Sequence, residues 1–222
     1  MPAPSVPAGL PAAWRGVDLE RLRTTDRVVA LTFDGGSSDA GVAAILAVLE
    51  REDVPATFFV TGAFARSYPA RVAAINDAGH PVGNHSDLHG SFPDMTDAAI
   101  AADLARAESA IVAATGVAAR PLFRFPFGAR TDYDIGVVND LGYLPIRWSV
   151  DSLGWRGTSG GMSAGQVADR VVDAAVPGGI ALMHVGANPD DGSTLDADAL
   201  PAIIERLRAA GYGFVDLADL GR

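Results

Sequence analysis

Val28-Val29-Ala30-Leu31-Thr32-Phe33-Asp34-Gly35-Gly36 is a continuous apolar run that ends in one carboxylate and two glycines. A run of this kind, rich in β-branched residues and without apolar–polar alternation, reads as a strand buried on both faces. Such strands belong to parallel sheets covered by helices. The glycine pair reads as a loop at the strand's carboxyl end. The same pattern recurs along the chain. Further strands are expected over 56–62, 81–84, 122–126, 143–150, 179–184 and 212–217. Helical spacing is expected over 40–51, 69–78, 96–115, 132–141, 163–175 and 196–210, the third of these capped by Thr96 and stopped by Gly116. Strand and helix alternate with no internal repeat, which predicts parallel strands with covering helices. Seven strands in about 200 residues predict an α/β fold, a distorted and incomplete (β/α) barrel, because the regular barrel has eight. An open doubly wound sheet is the alternative, but its Gly-x-Gly-x-x-Gly turn is missing after the first strand.

The 222 residues, 49% of them hydrophobic, suffice for one core. One domain is expected over 27–222, after an N-terminal linker or extension over 1–26 that starts rich in Pro and Ala. The net charge of −10 repels phosphate backbones and argues against nucleic acid as a partner. The absence of cysteine excludes disulfides and thiolate metal sites. No apolar run approaches the ~20 residues of a membrane-spanning helix. A monomer is expected.

Polar residues interrupt the apolar runs where strands end. Asp34 follows the first strand, His85 and His89 the third, Asp151 and Trp155 the fifth. Arg124 sits in the fourth strand ahead of Pro126-Phe127-Gly128, and His184 ends the sixth. In a barrel these ends converge on one face, where active sites lie. His85 and His89 would stand roughly 13 Å apart if extended. Coiled into a helical turn, they become neighbours at about 5–6 Å between Cβ atoms, and their ring nitrogens could then share a divalent ion at about 2.0–2.1 Å. Blander readings fit His80 (a helix-to-strand turn), Trp14 and Trp148 (packing), and Asp190, Asp191, Asp196 and Asp198 (solvated loop and helix-start charges).

With these residues in order, residues 27 to 218 resemble the polysaccharide deacetylases of carbohydrate esterase family four, the nodulation-protein-B homology domain. The resemblance lies in five ordered motifs: Thr32-Phe33-Asp34-Gly35-Gly36, His85-Ser86-Asp87-Leu88-His89, Arg124-Phe125-Pro126-Phe127-Gly128, Asp151-Ser152-Leu153-Gly154-Trp155 and Leu182-Met183-His184. It implies a metal-dependent hydrolase that removes N-acetyl groups from an aminosugar polymer such as peptidoglycan or a chitin-like chain, acting outside the cytoplasm or at the cell wall. It implies a divalent ion, zinc before cobalt or nickel, on His85 and His89, with Asp34 as general base. Arg124 orients Asp34, and the backbone near Phe127 completes an oxyanion site. His184 protonates the leaving amine, paired with Asp151. Trp155 and Leu182 form a slot for the acetyl methyl. The family's usual third ligand is an aspartate at the position of Gly35. Three outcomes stay open: Asp34 or Asp39 enters the metal shell, two histidines hold a weaker ion with water, or the site takes no metal and the protein binds glycans without turnover. O-deacetylation of acetylated xylan is a further alternative.

Overall fold

The computed structural model describes residues 10–218 and 220; residues 1–9 of the expected linker, with 219, 221 and 222, lie outside it. Its sheet is parallel throughout. The strands are β1 (Val28–Gly35), β2 (Ala56–Val60), β3 (Val82–Asn84), β4 (Leu122–Phe123), β5 (Leu144–Pro145), β6 (Val150–Asp151), β7 (Gly179–His184) and β8 (Gly213–Phe214). They lie in the order β5-β4-β3-β2-β1-β7-β6. β8 pairs with the start of β1, at Val28 and Val29, below the point where β2 joins it at Leu31. Between and after the strands come α1 (Val42–Glu52), α2 (Gly62–Ser67), α3 (Pro69–Asp77), α4 (Asp97–Thr115), α5 (Asp132–Asp140), α6 (Ala164–Asp173) and α7 (Leu195–Ala209).

The two end strands of this sheet, β5 and β6, are joined by residues 146–149 alone. Four residues span at most about 18 Å with their flanking bonds. The ends of the sheet are therefore held close, and the sheet curls into a barrel left open along one seam. This is the incomplete barrel expected from the sequence. The seam explains the main local difference, since the strand expected over 143–150 is two short strands on opposite sides of the opening. Pro145 offers no N–H to extend the ladder. The Ile146 and Arg147 N–H groups go to Phe123 and Leu19, and that of Ser149 to Ile180 across the gap. Residues 19–21 lie over the seam, with Leu19 bridged to Ile146 and Arg21 to Gly179. Leu10 and Leu19 are buried with Leu144, Ile146, Ile180 and Leu217.

Strands fill the inside and outside of the barrel alternately, as the period of two requires. On β1, Val29, Leu31 and Phe33 face the layer of helices, with α1 and α7 above them. Ala30 faces the interior, and Thr32 and Asp34 share that face through their bonds to Arg124. On β7, Ala181 and Met183 face outward and Ile180 inward. Leu182 and His184 share the face of Ile180. Expected strands 56–62 and 122–126 end early. Thr61 accepts the Phe64 N–H at 3.0 Å and so caps α2, an element the apolar pattern did not separate from the strand before it. Pro126 opens a turn. The last strand is reduced to Gly213–Phe214.

Gly83 of β3 exists for close approach. A Cβ there would lie 2.6 Å and 2.7 Å from two Phe59 ring atoms. The Phe59 ring is fully buried and carries the Arg124 guanidinium 4.2 Å above its centroid. Gly83→Ala is expected to cost about 1–3 kcal/mol as an overpacked core change, read as a lowered urea midpoint with unchanged slope. Among the described residues no helix is long and apolar enough to cross a membrane.

Candidate active site

Arg124 is the centre of the interior and has no exposed surface. Its Nη1 donates to Asp34 Oδ1 at 2.6 Å and its Nη2 to Thr32 Oγ1 at 2.8 Å. Its Nε donates to the Ile146 carbonyl at 3.1 Å, and Nη2 also to that of Arg147 at 3.3 Å. The rigid fork of guanidinium donors matches this set, which a single ammonium could not. Burial alone would raise the carboxyl pKa of Asp34. The adjacent Arg124 charge, followed by His85 and His184, overrides burial and holds it below its ordinary 3.8. Asp34 is thus an ionised carboxylate, 5% exposed, with one oxygen committed to Arg124 and the other turned to the histidines.

His85 follows β3, and its Nδ1 donates to the Arg124 carbonyl at 2.9 Å. A carbonyl only accepts, so Nδ1 carries the hydrogen. In the neutral ring Nε2 then presents its lone pair, 3.3 Å from Asp34 Oδ2. Burial pushes the His85 pKa down against the pull of Asp34. His89 is brought beside it by neither an extended chain nor a helical turn. Ser86 (φ 70°) and His89 (φ 60°) both adopt left-handed backbone. The Ser86 N–H is bound to Asn84 Oδ1 at 2.9 Å and the His89 N–H to Ser86 Oγ at 2.9 Å. The tight turn sets the two ring centroids 4.8 Å apart. Burial first, and then His85, lowers His89 to a pKa of about 4. Asp87 anchors the turn from behind, paired with Arg66 at 2.7 Å and Arg106 at 2.8 Å.

A groove of about 460 Å³ opens over these groups, lined by Asp34, His85, His89, Leu88, Trp155 and His184 among others. Phe127 (φ 58°) stands at its rim, 71% exposed, with its ring edge-on to His89 at 4.4 Å. Trp155, half exposed, is among the residues lining the groove. Leu182 is buried in β7, two residues before His184 on the same face, and is not part of the groove wall. The sequence-derived residues thus converge on one end of the barrel, with a different arrangement around His184. Asp151 does not pair with the imidazole. Its Oδ1 accepts the Leu153 N–H at 2.8 Å and its Oδ2 the Trp155 indole N–H at 3.3 Å. The carboxylate facing His184 is Asp196 of α7, whose Oδ2 accepts the His184 backbone N–H at 2.9 Å and lies 3.8 Å from Nδ1. Burial alone would lower the His184 pKa, but the carboxylates of Asp196, Asp34 and Asp151 raise it.

Asp196 is therefore no solvated helix-start charge, being 2% exposed. A signal for this was present, because Asp196 precedes Ala199, Leu200, Ile203 and Leu207 at the spacing of one buried helical stripe. Trp148 packs as expected, 5.7 Å under Arg124, and His80 packs on Phe58.

The fit of a metal ion can be judged from the donors. His85 Nε2 and Asp34 Oδ2 bring two lone pairs together in a buried place, and His89 is kept neutral beside them. A cation relieves that contact, and neutral imidazole with carboxylate suits zinc and its neighbours. No further carboxylate joins. A Cβ at Gly35 would meet Val185, Val60 and Phe64 on the outer face of β1, and Asp39 is held by Arg71 at 2.9 Å. Among the described residues no three His, Cys, Asp or Glu side chains already stand in ligating geometry.

A family model described as polysaccharide deacetylase matches residues 21–146, the part holding the first three motifs. The chain is 28% identical over 205 residues to a chitooligosaccharide deacetylase of Azorhizobium caulinodans, covering 89% of this chain and 96% of the relative. It superposes on PdaA of Bacillus subtilis, described as a family 4 carbohydrate esterase, with a TM-score of 0.82 at 30% identity, over 91% of this chain and 84% of that one. It superposes on BA3943 of Bacillus anthracis, described as a pseudoenzyme of the same family, with a TM-score of 0.81 at 27% identity, over 91% and 68% of the two chains. With its barrel, its motifs and these matches, the chain belongs to the polysaccharide deacetylase family, carbohydrate esterase family four.

Proposed function

We propose that the protein removes N-acetyl groups from an aminosugar polymer of the peptidoglycan or chitin type, outside the cytoplasm. One observation carries this reading: an ionised carboxylate, Asp34, and an imidazole backed by carboxylates, His184, end neighbouring strands and face one groove. Amide hydrolysis needs a base for water and an acid for a poor leaving group. Asp34, fixed by Arg124, takes the proton from water. His184 delivers a proton to the departing amine. The backbone N–H of Phe127 is assigned to the developing oxyanion. Trp155 closes the acetyl slot, with Leu182 beneath it and Asp151 holding the indole in place.

A divalent ion, zinc or else cobalt or nickel, is assigned to His85 and His89 with Asp34 Oδ2 adjoining. When bound, it lowers the pKa of the attacking water and draws charge from the carbonyl oxygen. Gly35 supports a second reading, a glycan-binding domain without turnover, because catalytic zinc sites normally keep three protein ligands. Acetate release from N-acetylglucosamine oligomers separates the two. Activity is expected to vanish in chelator and return with zinc, cobalt or nickel. No acetate with any of these ions, from the oligomers, peptidoglycan or acetylated xylan, leaves the binding domain.

A further inference from the structure

We propose that Asp196 is the positioning residue of His184, its carboxylate occupying the space that the missing side chain of Gly154 leaves open. This deepens the assignment of His184 as proton donor and rests on it. Three buried side-chain atoms among the described residues lack a hydrogen-bond partner, and two of them, His184 Nδ1 and Asp196 Oδ1, belong to this pair. At 3.8 Å the imidazole and carboxylate are too far apart for a hydrogen bond. A ring movement of about 1 Å brings Nδ1–H onto the carboxylate at ordinary length. Nδ1 then keeps its hydrogen toward α7, and Nε2 is the nitrogen presented to the groove.

The loop after β6 gives the second observation. A Cβ on Gly154 would lie 2.5 Å from Asp196 Cγ and 2.7 Å from Oδ2, and closer still to Oδ1. Gly154 is not among the glycines with positive φ, so its backbone does not demand glycine. Close approach of Asp196 does. Asp151, three residues earlier, is turned away to Leu153 and Trp155. The carboxylate behind His184 therefore comes from α7 because the loop leaves the place free. Asp196 lies in the first turn of α7 and is 2% exposed.

The test uses the full chain in four forms: wild type, Asp196→Asn, Asp196→Ala and Asp196→Ala with Gly154→Asp. Side-chain ¹⁵N spectra of His184 read the tautomer without turnover. The Nδ1–H form is expected in wild type and in Asp196→Asn, whose amide oxygen can still accept, a shift toward Nε2–H in Asp196→Ala, and a return in the double variant, whose new carboxylate fills the same space. Acetate release is read in parallel. In Asp196→Asn, kcat on the N-acetylated oligomer is expected to fall about 100-fold, as for a lost general acid. Its KM is expected to stay near wild type, and an O-acetylated substrate to lose far less. Asp196→Asn is isosteric and can still accept the His184 backbone N–H, so it separates this role from a folding role. An unchanged His184 tautomer in Asp196→Ala overturns the proposal, as does an equal loss on both substrates in Asp196→Asn. A wild type that releases no acetate overturns the hydrolase reading instead, while the spectra still decide the pair.

Discussion

Arg124→Met is expected to unfold the protein more readily than any other single change at the site and to abolish acetate release. The substitution keeps most of the side-chain volume and removes every donor. Asp34 then remains as a charge 5% exposed, with its one ion-pair partner gone and the neutral His85 ring beside it. Breaking a buried pair by deleting one member costs about 3–5 kcal/mol. For a domain of this size that lowers the melting temperature by roughly 10 °C. The Thr32 hydroxyl and two carbonyls, of Ile146 and Arg147, lose their donor as well. The last two lie in the segment that crosses the barrel's seam, so the loss should also loosen the join between β5 and β6. Without Arg124, burial raises the Asp34 pKa, and the base is protonated at pH values where it now works. Arg124→Lys should recover part of the stability and little activity, because one ammonium cannot reach Asp34, Thr32 and both carbonyls together. Calorimetry and acetate release on both variants check the two halves separately.

His184→Ala is expected to separate amide from ester substrates. An amine leaves only when protonated, and general acid catalysis contributes typically 10²–10⁴-fold. A sugar alkoxide is the better leaving group and depends less on that proton. The variant should therefore lose about 10²–10⁴-fold in kcat on N-acetylglucosamine oligomers and far less on acetylated xylan. Its fold should hold, since the His184 ring lies at the groove, 30% exposed, and makes no hydrogen bond within the barrel. Equal losses on both substrates would count against the amidase assignment.

The fold was legible because strands buried on both faces read as apolar runs, and their polar interruptions at Asp34, Arg124 and His184 fall where strands end. The two-histidine turn was legible as a question of distance. Its answer required left-handed backbone at Ser86 and His89, which neither residue type announces. The split of the fifth strand was not legible, because it depends on where the sheet's two ends meet and on residues 19–21 lying across them. Asp196 was misread because an acidic residue in a first helical turn has a sufficient local explanation. Only its register with Ala199, Leu200, Ile203 and Leu207 shows it turned inward. Gly35 carries a similar lesson, since its strand period places it with Val29, Leu31 and Phe33 on the outer face, while Asp34 points inward. Gly35→Asp is therefore expected to press on Val60, Val185 and Phe64 before it can reach the histidines.

The most direct test of the account is acetate release from N-acetylglucosamine oligomers by wild type and Asp34→Asn, side by side with metal supplied. The account predicts release by the wild type and a loss of roughly 10²–10⁴-fold in the variant, the range for a general base, with its circular dichroism spectrum unchanged. Equal release by both proteins, or none by the wild type with any metal, would contradict it.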